Sequence, residues 1–295
     1  MNRISCALWF TAFWAASAVA QTFTTIDYPG AAATQARAIN ARGDILGNWQ
    51  DADGNWHAYF LSGGSFVGFD CQGAVSTRPF GMNSKGEAVG TYSDAAGKWR
   101  GFYLHMALAG SWEALGAKCV TLEPKGSMGR TASTGAFGIS EAGDIVGQFD
   151  DSQGNYHGVL TRGGVHFIFD VAEGSWNGGF AFTPQGDMLG HVQATGDRMK
   201  GYLLTRDGLQ VIEFPPGENN SMTCPFSANS HLEVVGHYQR MGETIRGYLY
   251  SKGSYVSIEV PEATMTDARG INDDGLIVGF YTDKNSKTHG FLMRR

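Results

Sequence analysis

The chain has 295 residues, of which 42% are hydrophobic and 17% charged, and its net charge is −6. The hydrophobic fraction is enough for a sizeable core. Because the chain is acidic and has no block of basic residues, nucleic acids and anionic membrane surfaces are not expected as partners. The 42 glycines and 8 prolines favour many short strands joined by tight turns over a helical fold.

Residues 1–20 are predicted to be a signal peptide. Arg3 supplies the positive start, Ala7 to Ala16 form an apolar run, and Ala18-Val19-Ala20 is a small-x-small cleavage site. The run is too short to span a bilayer, and no later segment approaches the required length. We therefore expect an exported protein, periplasmic or extracellular, without a membrane span.

Three cysteines follow the predicted signal: Cys71, Cys119 and Cys224. In an oxidising compartment this number allows one disulfide and one spare thiol, and the sequence leaves the pairing open. Because the chain has no CxxC pair, it predicts no structural zinc site built on thiolates. No metal and no cofactor are expected.

A glycine marks a repeat of about 43 residues that occurs six times. The intervals between successive copies are 43, 57, 43, 46 and 43 residues, and the long one contains an insertion from His105 to Thr131. Such a period is typical of repeat architectures. The marker glycines are Gly47, Gly90, Gly147, Gly190, Gly236 and Gly279. We expect one domain over 21–295, with repeats at about 22–64, 65–112, 113–164, 165–208, 209–253 and 254–295.

Each repeat reads as four strands joined by glycine-bearing turns. In the first copy, strands are predicted over Ala36–Asn40, Asp44–Gln50, Trp56–Leu61 and Ser65–Asp70. Four such strands, repeated radially, form a β-propeller blade. The predicted fold is therefore an all-β, six-bladed propeller of antiparallel blades. The N-terminal strand at Thr22–Asp27 should join the C-terminal blade and close the ring, so that no edge stays open.

The repeat unit resembles the HAF family of probable extracellular bacterial repeat proteins. The copies at Ala36–Leu61 and Ala268–Leu292 carry the likeness best, with Ile-Asn before the turn and His-Ala/Gly-aromatic at the third strand. The copies with Lys200 and Arg246 depart from it, because these residues replace the histidine. The resemblance implies a secreted repeat protein, and it brings no activity and no catalytic residues.

A basic residue follows every marker glycine by ten positions. It could form a cationic ring for an anionic ligand, but we expect it to fasten each blade through cross-strand contacts with acids such as Asp51, Asp94, Asp151 and Asp283. A feature present in every blade usually serves the blade. The column is His57, Arg100, His157, Lys200, Arg246 and His289.

The start of each first strand, near the predicted axis, differs between copies. Arg37, Arg78, Asp267 and Arg269 could form a polar, mostly cationic arc opposite a phenylalanine-rich arc. Such a site suits an acidic or sugar-like ligand. The simpler interpretation is ordinary packing of these side chains, with the charged ends of the arginines in solvent. We expect it on the face that carries the loops from strand four to strand one and from strand two to strand three.

The connecting loops provide a further set of candidates. Trp176 could stack on a sugar, and a pair of carboxylates among Glu173, Glu218, Glu262 and Asp267 could act as acid and base. Solvated loop carboxylates are the simpler interpretation. The loop at Asp51–Asn55 is interpreted as a plain turn, because it lacks the bidentate acid of a calcium loop.

Three functions remain open on the sequence alone. The leading hypothesis is a non-catalytic exported propeller that binds a small acidic molecule, a glycan or an extracellular protein at its axial mouth. The alternative is a secreted lyase or hydrolase acting on saccharides or esters. A third is a matrix component, which large exposed apolar patches at the outer blade edges would favour.

Overall fold

The structure is a computed structural model that describes residues 21–105, 118–123, 133–151, 153–194, 197–214 and 221–295. The predicted signal at 1–20 and most of the insertion between His105 and Thr131 lie outside the described residues. Every regular element in the described ranges is a β-strand. Within those ranges, no helix has the length and apolar character needed to cross a bilayer.

Six groups of four strands follow one another along the chain. The first repeat contains β2 (Ala33–Ile39), β3 (Ile45–Gln50), β4 (Trp56–Ser62) and β5 (Ser65–Phe69). The second contains β6 (Ser76–Met82), β7 (Glu87–Ser93), β8 (Trp99–His105) and β9 (Val120–Leu122). The third contains β10 (Thr134–Ile139), β11 (Ile145–Asp150), β12 (Tyr156–Arg162) and β13 (Val165–Phe169).

The remaining groups complete the series. The fourth repeat contains β14 (Gly174–Phe182), β15 (Met188–Ala194), β16 (Lys200–Thr205) and β17 (Gly208–Ile212). The fifth contains β18 (Ser221–Ala228), β19 (Val234–Arg240), β20 (Arg246–Ser251) and β21 (Ser254–Ile258). The sixth contains β22 (Met265–Ile271), β23 (Ile277–Thr282) and β24 (Thr288–Arg294), with β1 (Thr22–Ile26) as its fourth strand.

The expectation of six separate blades needs a correction. Repeats one, two, five and six are separate four-stranded sheets, but repeats three and four share one eight-stranded sheet. They are joined where β12 pairs parallel with β14 at Tyr156 and Trp176. This contact forms because β14 starts early, so that its first residues run beside the start of β12. The all-β propeller itself is confirmed.

The chain ends close the ring as the sequence predicted. β1 pairs antiparallel with β24, with Thr22 opposite Arg294 and Ile26 opposite Gly290. The first strand of the chain therefore completes the last sheet and covers an edge that would otherwise template pairing with another chain. Its side chains also contribute to the core, since Ile26 is buried.

A β-bulge in the innermost strand explains the marker glycines. In the first repeat the register shifts between Ala36 and Ala38, so that Arg37 is the extra residue. A Cβ built on Gly47 would lie 2.2 Å from the carbonyl oxygen of Gln35 and 2.5 Å from the ring of Tyr59. A Cβ built on any of the other five marker glycines would lie 1.9–2.3 Å from the carbonyl oxygen of the matching inner-strand residue. Only glycine fits there, which is why the residue recurs in every copy.

The core lies between neighbouring sheets. Phe60 and Leu46 of the first repeat pack with Phe102 and Leu104 of the second, and similar clusters lie between the fourth and fifth repeats and between the fifth and sixth. Small residues before the end of each inner strand let these strands approach closely: a Cβ on Gly138 would lie 2.7 Å from the Cα of Ala181. Stability therefore depends on each sheet being held against both of its neighbours.

The cysteine pairing left open by the sequence is resolved. Cys71, after β5, and Cys119, before β9, form a disulfide that ties the first repeat to the second. Cys224 in β18 is free and buried.

Replacing a marker glycine should destabilise the whole ring. We expect Gly47→Ala to lower the free energy of unfolding by about 3 kcal/mol, because the new methyl overlaps the backbone and cannot rotate away. Urea denaturation followed by tryptophan fluorescence measures this. The matched control is Gly64→Ala, in a turn with open space around it and a φ of 82°, which should cost about 1–2 kcal/mol. Equal costs for the two variants would contradict the steric explanation.

Candidate functional site

The six bulged residues meet around the propeller axis and form an axial ring. Neighbouring phenyl groups contact one another edge-on or stacked, with Phe137 and Phe180 at 4.6 Å between centroids. The guanidinium of Arg37 lies 5.2 Å from the centroid of Phe80, and that of Arg269 lies 3.7 Å from the centroid of Phe226. The axial ring is Arg37, Phe80, Phe137, Phe180, Phe226 and Arg269.

A cavity of about 310 Å³ lies on one side of the axial ring, and we call it the axial mouth. Its floor is the axial ring, and its walls are the last residues of the six inner strands and the turns that follow them, such as Ala38–Ala41 and Gly270–Asp273. The wall residues next to the ring are small because neighbouring strands crowd there, and this leaves room at the axis. The volume is at the lower end of the range of small-molecule pockets.

The axial mouth opens on the face opposite to the one the sequence predicted. It is surrounded by the turns from strand one to strand two, whereas we expected the loops from strand four to strand one. On the other side of the ring, side chains such as Gln35 and Asn48 bond to Arg37 and to each other. The inner-strand asparagines Asn40 and Asn272 are among the lining residues, and their amides are already engaged: Asn40 Nδ2 donates to Asp44 and Asn272 Nδ2 donates to the carbonyl oxygen of Asn40.

Both arginines of the axial ring are anchored from below. Arg37 donates to the side-chain oxygens of Gln35 and Asn48, and Arg269 donates to Asp267 at 2.7 Å. Burial, followed by the charge of Arg269, holds the pKa of Arg37 well below its usual value. Two guanidiniums thus share the floor of the cavity with a single carboxylate beneath them.

A second group, the buried axial cluster, lies under the ring in the fourth to sixth repeats. His237 Nδ1 is 3.1 Å from Asp267 Oδ2. Burial disfavours the charged forms of His237 and Asp267, but the attraction of opposite charges is stronger. Asp267 raises the pKa of His237 to about 9, and Arg269 and His237 hold the pKa of Asp267 well below its usual range. Burial raises the pKa of the Cys224 thiol, but His237 and His191 outweigh it and bring it to about 6. The cluster is Cys224, His191, His237 and Asp267.

Sequence reasoning missed the two histidines of this cluster. His191 and His237 follow the marker glycines Gly190 and Gly236 directly. In the strand register, His191 lies opposite Gly178 and His237 lies opposite Cys224, both on inner strands. The signal was available, because this position also varies between repeats. It lies on the second strand, whereas the sequence analysis places only the first strand at the axis.

Arg78, predicted to join the cationic arc, and Trp176, a loop candidate for stacking on a sugar, do not line the axial mouth. Arg78 lies between two indoles, 5.2 Å from the centroid of Trp56 and 4.8 Å from that of Trp99. Trp176 stacks on Tyr156 at 4.2 Å, and its Nε1 donates to Gln148. The structure therefore separates the five candidates: Arg37 and Arg269 lie at the mouth, Asp267 beneath it, and Arg78 and Trp176 elsewhere.

The basic column links two hairpins in every repeat. His57 lies between Asp51 at 3.1 Å and Asp70 at 2.8 Å, so it joins the loop after strand two to the end of strand four. Arg100 contacts Asp94 and Glu123 in the same way. The remaining clamps are His157 with Asp151 and Asp170, Lys200 with Asp197 and Glu213, Arg246 with Glu243 and Glu259, and His289 with Asp27 and Asp283.

The loop carboxylates considered for catalysis do not converge in the described part of the chain. Glu262 is exposed and pairs with Lys284, Glu173 is exposed, and Asp267 is buried at the axis. Glu218 lies outside the described residues. At Asp51–Asn55, Asp51 accepts hydrogen bonds from backbone amides of its own turn.

The outer strands expose apolar side chains, the feature that a protein-contact role requires. These residues are spread over several repeats rather than gathered in one. They include Val120 of β9, Val165, Phe167 and Ile168 of β13, Leu209 and Val211 of β17, and Val256 of β21.

Comparisons with known proteins place the fold but not the family. No family model and no curated protein matches the chain. Among solved structures, AofleA from Arthrobotrys oligospora is similar with a TM-score of 0.58 and 10% identity, over 93% of this chain and 86% of that one. The Aleuria aurantia lectin, a six-bladed β-propeller with a fucose recognition mode, is similar with a TM-score of 0.55 and 14% identity, over 87% of this chain and 89% of that one.

An enzyme is also among the similar structures. The Trypanosoma rangeli sialidase has a TM-score of 0.53 and 10% identity, over 89% of this chain but only 54% of that one. At these identities the likeness shows the β-propeller fold alone.

The histidine clamps predict a pH dependence of stability. Burial lowers the pKa of both clamp histidines, but the neighbouring carboxylates outweigh it. Asp70 and Asp51 raise the pKa of His57, and Asp170 and Asp151 raise that of His157. A raised histidine pKa stabilises the fold below the unfolded value of about 6.5, and the gain is lost as pH rises through the folded value. The pKa of Asp51 is lowered, first by His57, so its contribution is lost as pH falls below about 4. Urea denaturation should therefore show the largest contribution of the clamps to the free energy of unfolding between about pH 4 and about pH 6.5.

The control for this prediction copies the second repeat. The double variant His57→Arg/His157→Arg keeps a cation in both clamps, as Arg100 does, and should flatten the fall in stability between pH 6 and pH 9. An unchanged profile would show that these histidines do not cause it.

Removing the buried carboxylate should be costly. Asp267→Asn leaves Arg269 and His237 without a counter-charge, and we expect a loss of about 3 kcal/mol in the free energy of unfolding. Urea denaturation measures it, with Asp53→Asn in an exposed turn as the control that should change little. A neutral effect at Asp267 would refute its role as the counter-charge under the axial ring.

Proposed function

We propose that this protein is an exported, non-catalytic binding propeller that recognises an acidic saccharide at its axial mouth. The observation that carries the proposal is the floor of the cavity, where Arg37 and Arg269 lie among four phenyl rings with one carboxylate below them. A ligand carboxylate entering the mouth would meet two cations, and the sugar ring would rest on apolar surface.

Charge favours an anionic ligand over a neutral one. Asp267 is already engaged by Arg269 and His237, and its attraction for Arg37 is smaller than the opposing effects of burial and of Arg269. Burial, followed by the charge of Arg269, holds down the pKa of Arg37. A negative charge at the mouth would offset both effects by stabilising the charged guanidinium. Guanidinium–carboxylate hydrogen bonds are strong because both partners are charged.

Two further observations support export and the class of ligand. The disulfide between Cys71 and Cys119 is typical of proteins from oxidising compartments, in agreement with the signal predicted at residues 1–20 and with the HAF resemblance. Propellers of similar fold include the Aleuria aurantia lectin, which recognises fucose. The hydrolase alternative finds no support in the described residues, since its carboxylates do not converge.

The test compares two sugars that differ only in charge. Isothermal titration calorimetry with oligogalacturonate and with the matching neutral galactan oligomer should show binding of the acidic ligand alone, weakened by added salt. Arg37→Gln should reduce the affinity by about tenfold or more, the value of one charge-assisted hydrogen bond. A panel of sialylated, sulfated and neutral glycans extends the search if oligogalacturonate is not the preferred acid.

The control is Arg42→Ala. Arg42 lies in the turn beside the mouth, is half exposed and pairs with Asp44, so it tests nonspecific attraction by a nearby cation. Binding of neutral glycans only, or equal affinity losses for the Arg37 and Arg42 variants, would contradict the proposal.

A further inference from the structure

A guanidinium held between two indoles lies on the face of the propeller opposite to the axial mouth. Arg78 is in the inner strand β6, and its Cζ lies 5.2 Å from the ring centroid of Trp56 and 4.8 Å from that of Trp99. The two tryptophans begin β4 and β8, directly after the loops from strand two to strand three. These loops are at the other end of the strands from the turns around the mouth, and none of the three residues lines the mouth.

Arg78 has no counter-charge in the described part of the chain. Its Nε is buried without a hydrogen-bonding partner, while its two outer nitrogens remain accessible to solvent. Burial lowers the pKa of Arg78, and no neighbouring carboxylate raises it. The arginines of the axial ring differ in this respect, because Arg269 donates to Asp267 and Arg37 donates to two amide oxygens. A partly buried cation without a partner costs free energy, which a bound anion would offset.

This arrangement occurs once and is not part of blade construction. A residue that builds the blade should recur in every repeat, as the clamp cation does, but no other repeat has a cation at the position of Arg78. The matching residues are Gln35, Gly135, Gly178, Cys224 and Asp267. The position of the two tryptophans is also aromatic in the third repeat only, at Tyr156, and is Met199, Ile245 and Thr288 in the others.

The polar groups of these three side chains are all hydrogen-bond donors. A guanidinium and an indole N–H donate and cannot accept, whereas an ionised carboxylate accepts and cannot donate. The planar edge of a guanidinium also matches the two oxygens of a carboxylate, and the single charge of Arg78 balances the single charge of that group. Hydroxyl groups of a sugar would need acceptors as well, and these three side chains offer none.

We propose that Arg78, Trp56 and Trp99 form a second binding site, which takes an aromatic carboxylate on the face opposite to the mouth. The carboxylate pairs with the outer nitrogens of the guanidinium, and the aromatic ring lies against the indoles, which are only partly buried. Aromatic rings gain from such contacts beyond the area that they bury. The site shares no residue with the axial mouth, so it does not depend on saccharide binding there.

The test follows the indole N–H signals of isotope-labelled protein by NMR during titration with benzoate and with benzamide. Among the described residues no tryptophan lines the axial mouth, so these signals report the Arg78 site even where benzoate also enters the mouth. Benzoate should shift the signals of Trp56 and Trp99, assigned with Trp56→Phe and Trp99→Phe. Benzamide has the same shape without the charge and should leave them in place. Trp176, whose Nε1 donates to Gln148, is the internal reference.

A charge variant provides the second measurement. Arg78→Gln should weaken benzoate binding about tenfold or more, because it removes a charge-assisted hydrogen bond. The matched control is Arg206→Gln, since the Arg206 side chain is 92% exposed and should contribute nothing to binding.

The comparison of benzoate with benzamide uses the wild-type protein and therefore needs no variant to fold. Signals of Trp56 and Trp99 that do not move with benzoate, equal shifts with benzamide, or unchanged affinity in Arg78→Gln would each overturn the proposal. Shifts of the same two signals by galacturonate at equal affinity would overturn the choice of an aromatic ligand.

Discussion

One close approach inside each repeat determines the rest of the structure: the carbonyl oxygen of the innermost strand points at the α-carbon of a glycine in the second strand. The bulge that accompanies it turns one side chain per repeat toward the axis, and an aromatic or apolar residue of the third strand covers the glycine. In the first repeat these are Gln35, Gly47, Arg37 and Tyr59. Six copies of this arrangement put six side chains into a ring without any motif dedicated to binding.

The consequence is a division between construction and chemistry. Positions that are alike in every repeat build the blade: the marker glycine, the small inner residue and the cation that clamps two hairpins. Positions that face the axis are free to differ, because their packing partners are one another rather than the blade. Ring closure makes the first and sixth repeats neighbours, and their Arg37 and Arg269 give the mouth its charge. The layer beneath the ring carries imidazole and thiol groups instead, from His191, His237 and Cys224.

The repeat, the strands and the ring closure could be predicted from the sequence because they follow from periodic glycines and alternating side chains. Strand one was expected from Ala36 but starts at Ala33, since its polar residues face the crowded axis and hide the alternation. The merging of repeats three and four depends on a single contact between Tyr156 and Trp176, which no local pattern announces. The axial mouth lies on the face that was not expected, because which half of the axis the side chains fill is decided by three-dimensional packing.

Hydrogen–deuterium exchange in the presence and absence of oligogalacturonate tests most directly whether an acidic saccharide binds at the axial mouth. If the acidic saccharide binds at the axial mouth, amides at the ends of the inner strands and in the turns after them, such as 38–41 and 270–273, should exchange more slowly with the ligand bound. Protection confined to the outer strands, or to the loops from strand two to strand three on the opposite face, would contradict it.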